Sequence, residues 1–196
     1  MGKLCSFIQS PTNNHWNIVK HVLRYLKFSQ RYKVYYKPER NQLKVYTDAN
    51  FGTDLNSSKS ITGICTLLFN FMVNCMSKRQ PTVATSTTEA EINAVTEAFY
   101  DIVYINDLMN ELEENIHLDK IVLNDNQSSL ATIKSGGDFS RNRHYRTKIN
   151  FTKDAISKEN VSLRYIESEL NAADVFTKPV LNQKLKKVLE SLNIRE

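Results

Sequence analysis

The sequence predicts an α/β fold built on a mixed β-sheet, and two observations lead to that prediction. Segments of strand character alternate with amphipathic helical segments in the order β-β-β-α-β-α-α-β-α, which is typical of helices packed on a sheet with parallel and antiparallel strands. Hydrophobic residues make up 41% of the 196 residues and charged residues 24%, so the chain can bury a globular core.

The first 40 residues predict a helix and a strand that precede the main domain. Apolar residues recur at helical spacing over residues 15–29, with Asn13 or Asn14 as a candidate cap, and residues 32–37 have strand character. The polar residues 38–42 form a candidate domain boundary. The chain is thereby divided into a first part at 1–40, a domain at 41–180 and a C-terminal helix or tail at 181–196.

The elements of the main domain follow from alternation in the strands and from helical spacing in the helices. The predicted strands are 43–48, 61–69, 73–77, 120–124 and 161–167. The predicted helices are 87–112, 126–134, 143–158, 171–177 and 181–191. A tight turn is expected near Asn70. The longest apolar run, around Ile61–Phe69, is too short to span a bilayer, so no membrane partner is expected.

The net charge of +5 conceals an uneven distribution, because basic segments at 1–40 and 141–196 flank an acidic middle. This pattern suggests a metal-dependent site on a nucleic-acid-binding protein, although an ordinary solvated surface is the better explanation of the charges taken alone. Three cysteines without metal-ligand spacing indicate a reducing, intracellular compartment.

Four acidic residues lie at or beside the ends of predicted elements. Asp48 and Asp125 close two strands, Glu91 lies in the first turns of the long helix, and Asp174 lies in a short helix after the last strand. Carboxylates that converge at one sheet edge form the oxygen cage that hard divalent cations need. Two such ions, roughly 4 Å apart, can activate water and stabilise the leaving oxygen of a phosphodiester. Each acid alone also suits a turn, a cap or a first helical turn.

The segment Ser77–Val95 (SKRQPTVATSTTEAEINAV) closely resembles the signature of copia-type retrotransposon polyproteins, where Ser-Lys-Lys-Gln-Pro-Thr-Val-Ala precedes Ser-Ser-Thr-Glu-Ala-Glu-Tyr. The resemblance runs from about residue 4 to 190, and residues 4–37 resemble the tail of the preceding reverse transcriptase. Further blocks resemble those of the family in the same order: His15-Trp16, Leu23–Leu26, Tyr46–Ala49, Lys59-Ser60, Thr62-Gly63, Asp125–Ser128, Arg146–Lys148, Ala173-Asp174 and Thr177–Pro179.

This resemblance implies a ribonuclease H-like fold, a mixed five-stranded sheet flanked by helices and preceded by a helix-strand remnant of the reverse transcriptase. It implies a hydrolase that cuts RNA endonucleolytically in RNA–DNA hybrids during reverse transcription, with two Mg²⁺ or Mn²⁺ ions. The residues that match the catalytic and metal-binding carboxylates are Asp48, Glu91, Asp125 and Asp174. The acid order differs from the Asp, Asp, Glu order of the related integrase fold.

Glu89 and Glu91 compete for the second carboxylate position. Two residues apart on a helix, they point roughly 200° apart, so both should not line one site. The spacing of Ser86 and Glu89 predicts a capping box in which Glu89 reaches the Ser86 amide, although Thr88 and Glu91 have the same spacing. The ribonuclease H pattern Glu-apolar-x-Ala-apolar matches the segment that starts at Glu91, so Glu91 is preferred.

Five residues are candidates for contact with the hybrid. Arg143, Arg146 and Lys148 share much of one helical face and are expected to contact phosphates. Asn50 and Gln127 follow two of the acids and are expected to reach the minor groove and its 2′-hydroxyls. The loop before Asp174 has no histidine, unlike many ribonucleases H, but copia-type relatives commonly lack it too.

The expected partners are therefore an RNA–DNA hybrid and the reverse transcriptase portion of the same polyprotein, in a cytoplasmic virus-like particle or the nucleus. An alternative is an inactive or domesticated Pol fragment that folds and binds nucleic acid without cutting it. The absence of a Tyr-x-Asp-Asp polymerase motif from the sequence favours this alternative. The presence of all four carboxylates favours cleavage.

Overall fold

A mixed five-stranded sheet organises the computed structural model, which describes residues 2–5, 7–36, 41–54, 56–112, 116–136 and 143–196. The strands of this sheet are β2 (Gln42–Asn50), β3 (Ile61–Leu68), β4 (Phe71–Arg79), β5 (Asp119–Asn124) and β6 (Val161–Tyr165). Their order is β4-β3-β2-β5-β6, with antiparallel pairs on the β4 side and parallel pairs on the β6 side. The predicted five-stranded mixed sheet is therefore confirmed.

Side-chain alternation along β2 directs apolar residues to one face of the sheet and the acid to the other. Leu43 and Val45 are buried on the first face, whereas Asp48 has the opposite parity and points to the second. The hairpin between β3 and β4 turns at Phe69 and Asn70, which both have positive φ values of 52° and 67°. Two such residues in succession are typical of a tight hairpin turn, here at the position that the sequence predicts.

Three helices cover the first face of the sheet: α3 (Thr87–Glu111), α4 (Gln127–Ser135) and α5 (Arg143–Glu159). Their apolar side chains pack on the strands and form the larger core. The most deeply buried members of that core include Val45, Ile92, Phe99, Ile102, Val122, Ile133 and Ile149.

A second apolar layer lies on the opposite face and is formed by α6 (Asn182–Ser191). Val188 and Leu192 are buried against Cys65, Leu67 and Ala172. The bounds of all the elements predicted after residue 42 fall within two residues of those in the structure. The segment predicted as a helix at 171–177 is a 3-10 helix at Ala172–Phe176.

The N-terminal elements are α1 (Gly2–Cys5), α2 (Asn13–Ser29) and β1 (Lys33–Val34), which pairs with β7 (Ile194–Arg195). The predicted cap of α2 was wrong: Thr12 caps the helix, because its hydroxyl accepts from the His15 amide and the His15 ring accepts from the Thr12 amide. Residues 38–40 of the predicted boundary lie outside the described residues. No helix among the described residues is long and apolar enough to cross a bilayer.

Candidate metal centre

Three of the four predicted acids meet at one edge of the sheet. Asp48 lies on β2, Asp125 follows β5, and Asp174 lies in the 3-10 helix after β6. Each offers one carboxylate oxygen, and these oxygens lie within 4.8 Å of one another. Because β2 and β5 are parallel neighbours, their C-terminal ends bring Asp48 and Asp125 to the same edge. Asp48 and Asp174 are buried and Asp125 is half-buried, so the cluster opens to solvent on the Asp125 side.

Glu91 lies beside this cluster on α3, with 7% of its surface exposed. Its Oε2 accepts a hydrogen bond from Asn124 Nδ2 at 2.9 Å. Burial raises the pKa of Glu91 to about 8, and the charges of Asp48 and Asp125 add to that rise. Glu91 is therefore close enough to Asp48 and Asp125 for their charges to act on its carboxyl group.

Glu89, the competing glutamate, is directed away from the cluster. Its carboxylate accepts from the Thr85 amide at 2.8 Å and from the Thr85 hydroxyl at 2.7 Å. Ser86 caps α3, since its hydroxyl accepts from the Glu89 amide at 3.1 Å. The prediction that Glu89 accepts from the Ser86 amide was wrong, because Glu89 accepts from the amide of the preceding residue, Thr85. Glu89 therefore fixes the loop before the helix.

Asn124, the last residue of β5, links Glu91 to the sheet. Its Nδ2 also donates to the Thr47 hydroxyl at 3.1 Å, and its Oδ1 accepts from the Ser129 hydroxyl at 2.8 Å and the Asn126 amide at 3.0 Å. One buried amide therefore holds Glu91, β2 and the start of α4 together. The sequence analysis missed this residue, although it directly precedes Asp125.

Gly63 allows the 3-10 helix with Asp174 to lie directly on the sheet. Gly63 stands opposite Asp48 in the β2–β3 pair. A Cβ at this position would lie 2.6 Å from Thr177 Cγ2 and 2.7 Å from the Ala173 carbonyl oxygen, distances that real Cβ atoms do not show. The side chain of Asn171 also donates to the Thr47 carbonyl at 2.9 Å, which anchors the start of the 3-10 helix.

Two lysines, which the sequence analysis missed, neutralise the buried aspartates. Lys178 Nζ lies 3.1 Å from Asp174 Oδ1 and 3.9 Å from Asp48 Oδ2. Lys184 Nζ contacts Asp174 Oδ2. The spacing of Asp174 and Lys178 was an available signal, because residues four apart on a helix are neighbours. Nothing comparable marked Lys184, ten residues further along.

The Asp48 carboxyl has its pKa raised to about 6, mainly by burial. The Thr177 hydroxyl donates to Asp48 Oδ2 and lowers the pKa, whereas the charge of Asp174 raises it. Burial lowers the pKa of Lys178, but the neighbouring carboxylates outweigh burial and raise it. Burial and mutual repulsion therefore disfavour the ionised forms of Asp48 and Glu91, and a cation bound beside them would stabilise those forms.

The predicted nucleic-acid contacts have different surroundings. Asn50 lies at the rim of the cluster and donates to the Thr177 carbonyl at 3.2 Å, and Gln127 is exposed at the start of α4. Arg146 is exposed on α5, whereas the half-buried Lys148 donates to Asn93 Oδ1 at 2.7 Å. The side chain of Arg143 lies outside the described residues.

A groove of about 710 Å³ lies between β4, α3 and α5, on the Glu89 side of α3. Basic side chains from two of these elements line it, namely Lys78, Arg79 and Lys148. Tyr145 also lines the groove, beside exposed Tyr100 and Phe151. Glu89 and Glu97 also line the groove, and Lys78 is paired with Glu97 and Arg79 with Asp54, so the groove combines charges of both signs with aromatic rings.

The sequence is similar to segments of retrotransposon Pol polyproteins. It is 30% identical over 185 residues to the retrovirus-related Pol polyprotein from transposon TNT 1-94 of Nicotiana tabacum, which covers 94% of this chain and 14% of the relative. The polyprotein from transposon RE2 of Arabidopsis thaliana is 25% identical over 181 residues, 92% of this chain and 12% of the relative. The Ty1-NL2 Gag-Pol polyprotein of Saccharomyces cerevisiae is 37% identical over 145 residues, 74% of this chain and 8% of the relative. The chain thus spans about a seventh or less of these relatives. No protein-family model matches it.

Solved ribonucleases H share the fold. LC11-RNase H1, isolated from compost by a metagenomic approach, superposes with a TM-score of 0.55 at 18% identity, over 76% of this chain and 99% of that one. The N-terminal RNase H domain of Rv2228c from Mycobacterium tuberculosis gives a TM-score of 0.52 at 10% identity, over 76% of this chain and 97% of that chain. LC11-RNase H1 in complex with an RNA/DNA hybrid gives a TM-score of 0.51 at 16% identity, over 74% of this chain and 99% of that one. By sequence and fold, this chain belongs with the Pol polyproteins of copia-type retrotransposons, of which it corresponds to a segment with the ribonuclease H fold.

Proposed function

We propose that this chain is a retrotransposon ribonuclease H that cleaves the RNA strand of RNA–DNA hybrids endonucleolytically during reverse transcription. The observation that carries the proposal is the meeting of Asp48, Asp125 and Asp174 within 4.8 Å, with Glu91 beside them. The likeness to Pol polyproteins and to ribonuclease H structures, one of them bound to an RNA/DNA hybrid, supports it.

The residues present fit a divalent cation. All four side chains offer carboxylate oxygens, the ligands that Mg²⁺ and Mn²⁺ prefer. The buried Asp174 Oδ1 accepts no well-directed hydrogen bond from the described residues, and its contact with the half-exposed Lys178 ammonium at 3.1 Å is one that a divalent cation could replace. Asp48, Glu91, Asp125 and Asp174 would hold the ions, two in this proposal. When bound, such ions activate water and stabilise the leaving oxygen.

The protein's own contribution is to fix the carboxylates before the substrate binds. Asn124 orients Glu91, and the Thr177 hydroxyl orients Asp48. These hydrogen bonds reduce the rearrangement that would otherwise accompany the reaction, which is the main protein contribution in phosphoryl transfer. The raised pKa values of Asp48 and Glu91 mean that binding of a cation releases protons from the site.

The hybrid is proposed to lie across the rim of this cluster. Asn50 and Gln127 flank the carboxylates and are placed to contact the 2′-hydroxyls of the RNA strand. The proposed phosphate contacts on α5 are Arg143, Arg146 and Lys148. Lys148 donates one of its three N–H groups to Asn93, so two remain for a phosphate.

The reverse transcriptase portion of the same polyprotein is the proposed protein partner, in a cytoplasmic virus-like particle. α2 has no buried residues, and its apolar side chains Trp16, Leu23 and Leu26 are exposed. Co-expression of this chain with the reverse transcriptase segment of a related polyprotein tests the pairing. Failure of the two to co-purify would contradict it.

Cleavage itself is tested with a labelled RNA–DNA hybrid, Mg²⁺ or Mn²⁺, and an Asp125→Asn variant. The matched control is Asp154→Asn, because Asp154 is an exposed aspartate in the C-terminal half of α5. We expect cleavage by the parent chain and the control and none by Asp125→Asn. Hybrid binding without cleavage by the parent chain would support the inactive-fragment alternative, and cleavage by Asp125→Asn would contradict the assigned site.

A further inference from the structure

We propose that Lys184, on the C-terminal helix α6, is a positioning residue for Asp174, so that α6 is part of the metal centre rather than a separate tail. This inference rests on the proposed function, because the position of Asp174 matters for metal binding only if Asp174 is a ligand. It also extends the functional domain beyond residue 180, where the sequence analysis ended it.

Lys184 joins two ends of the segment that carries Asp174. Its Nζ contacts Asp174 Oδ2 and donates to the Ser168 carbonyl oxygen at 2.6 Å. Ser168 begins the first 3-10 turn after β6 and Asp174 lies in the second. One ammonium group thus closes residues 168–174 into a compact loop against α6.

Apolar packing fixes the helix α6 from which the Lys184 side chain extends. Lys184, Val188 and Leu192 follow at intervals of four residues and therefore share one face of the helix. Val188 and Leu192 are both 3% exposed and pack in the second core layer. The Lys184 side chain itself is only 13% exposed, so its ammonium group reaches Asp174 from within the protein.

Lys178 is placed differently on the same carboxylate. It approaches Oδ1 as an ion pair, its side chain is 40% exposed, and it lies between Asp174 and Asp48. A divalent cation bound by those two aspartates would compete with Lys178 for this place. Lys184 holds the other oxygen, Oδ2, and so leaves Oδ1 on the side of Lys178 and Asp48.

The positive charge of Lys184 and its contacts act on metal binding in opposite directions. A cation near the site repels a metal ion, so loss of the charge alone would strengthen metal binding. Loss of the anchor would free Asp174 to turn, which would weaken metal binding. The proposal requires the second effect to dominate, so the sign of the change in affinity is a direct test.

The test compares Lys184→Met and Lys184→Arg with the control Lys187→Met, since Lys187 is exposed on α6. Mn²⁺ affinity is measured by calorimetry, and amide hydrogen exchange of residues 168–177 is measured without metal. We expect Lys184→Met to weaken Mn²⁺ binding by about tenfold or more, the usual effect of losing a residue that orients a ligand. Exchange over residues 168–177 should become faster, Lys184→Arg should restore both properties, and the control should resemble the parent chain.

Equal or tighter Mn²⁺ binding by Lys184→Met, or unchanged exchange over residues 168–177, would overturn the inference. The exchange measurement needs neither metal nor hybrid. A parent chain that binds no Mn²⁺ would therefore contradict the proposed function, while the exchange result still decides whether Lys184 holds the Asp174 segment.

Discussion

Gly63→Ala tests whether close approach to the sheet positions Asp174. The added Cβ would lie 2.7 Å from the Ala173 carbonyl oxygen, and ordinary contact begins at 3.4 Å, so the 3-10 helix must move by about 0.7 Å. Crowding of this kind costs about 1–3 kcal/mol in a packed interior. At about 2–4 °C per kcal/mol for a chain of this size, Tm should fall by several degrees.

The same displacement moves Asp174 away from Asp48, which faces Gly63 across the β2–β3 pair. We therefore expect Mn²⁺ affinity to fall by about tenfold, which corresponds to about 1.4 kcal/mol. Thermal unfolding and Mn²⁺ calorimetry measure the two effects separately. Gly52→Ala is the matched control, because its positive φ of 61° costs stability while its Cβ meets nothing within 4 Å. Gly63→Ala with the Tm and Mn²⁺ affinity of the parent chain would refute the reasoning.

Three further predictions concern the glutamates and α5. Glu91→Gln should abolish hybrid cleavage, whereas Glu89→Gln should cost only about 1 kcal/mol of stability through the helix start; the opposite pattern would reassign the site. The folded-state pKa of Glu91, about 8, exceeds its ordinary value of 4.5, so the folded metal-free chain binds more protons between these values. Its unfolding free energy should fall as pH rises from 5 to 8, by up to about 1.4 kcal/mol per pH unit, and urea titrations should show a flatter profile for Glu91→Gln. Lys148→Met should lower both Tm and the salt dependence of hybrid binding, because Lys148 also donates to Asn93. Arg146→Met should lower only the salt dependence. If Lys148→Met keeps the Tm of the parent chain, the contact with Asn93 does not stabilise the fold.

Periodic patterns predicted the elements that bury one regular face. Alternation along β2 and helical spacing along α3 have many repeats, so the bounds and the burial of Ile92 and Phe99 followed from the sequence. β1 and β7 contain two residues each and have no such period, and their pairing joins residues about 160 positions apart. Only tertiary packing determines such a pairing, and no local signal reports it.

The same distinction applies to the candidate site. Strand ends indicated Asp48 and Asp125, because acids at the ends of neighbouring parallel strands converge whatever surrounds them. Asp174 lies in a 3-10 helix after the last strand, and its family block indicated it. Asn124 and Lys184 act through single contacts with distant residues, and the type of a residue does not reveal its partner. Residues that hold the carboxylates were therefore harder to predict than the carboxylates themselves.

The family blocks acquire a physical explanation from one buried network. Gln80, in the Ser77–Val95 block, donates to the Thr62 hydroxyl at 3.0 Å and to the Ala90 carbonyl at 2.9 Å. Asn93 donates to Gln80 at 3.0 Å and accepts from Lys148. Three blocks that are far apart in sequence thus meet beside the turn of α3 that carries Glu91. Because Gln80 is 3% exposed and its hydrogen bonds go to α3 and β3, we interpret this residue of the family block as one that holds that turn in place rather than one that contacts a substrate.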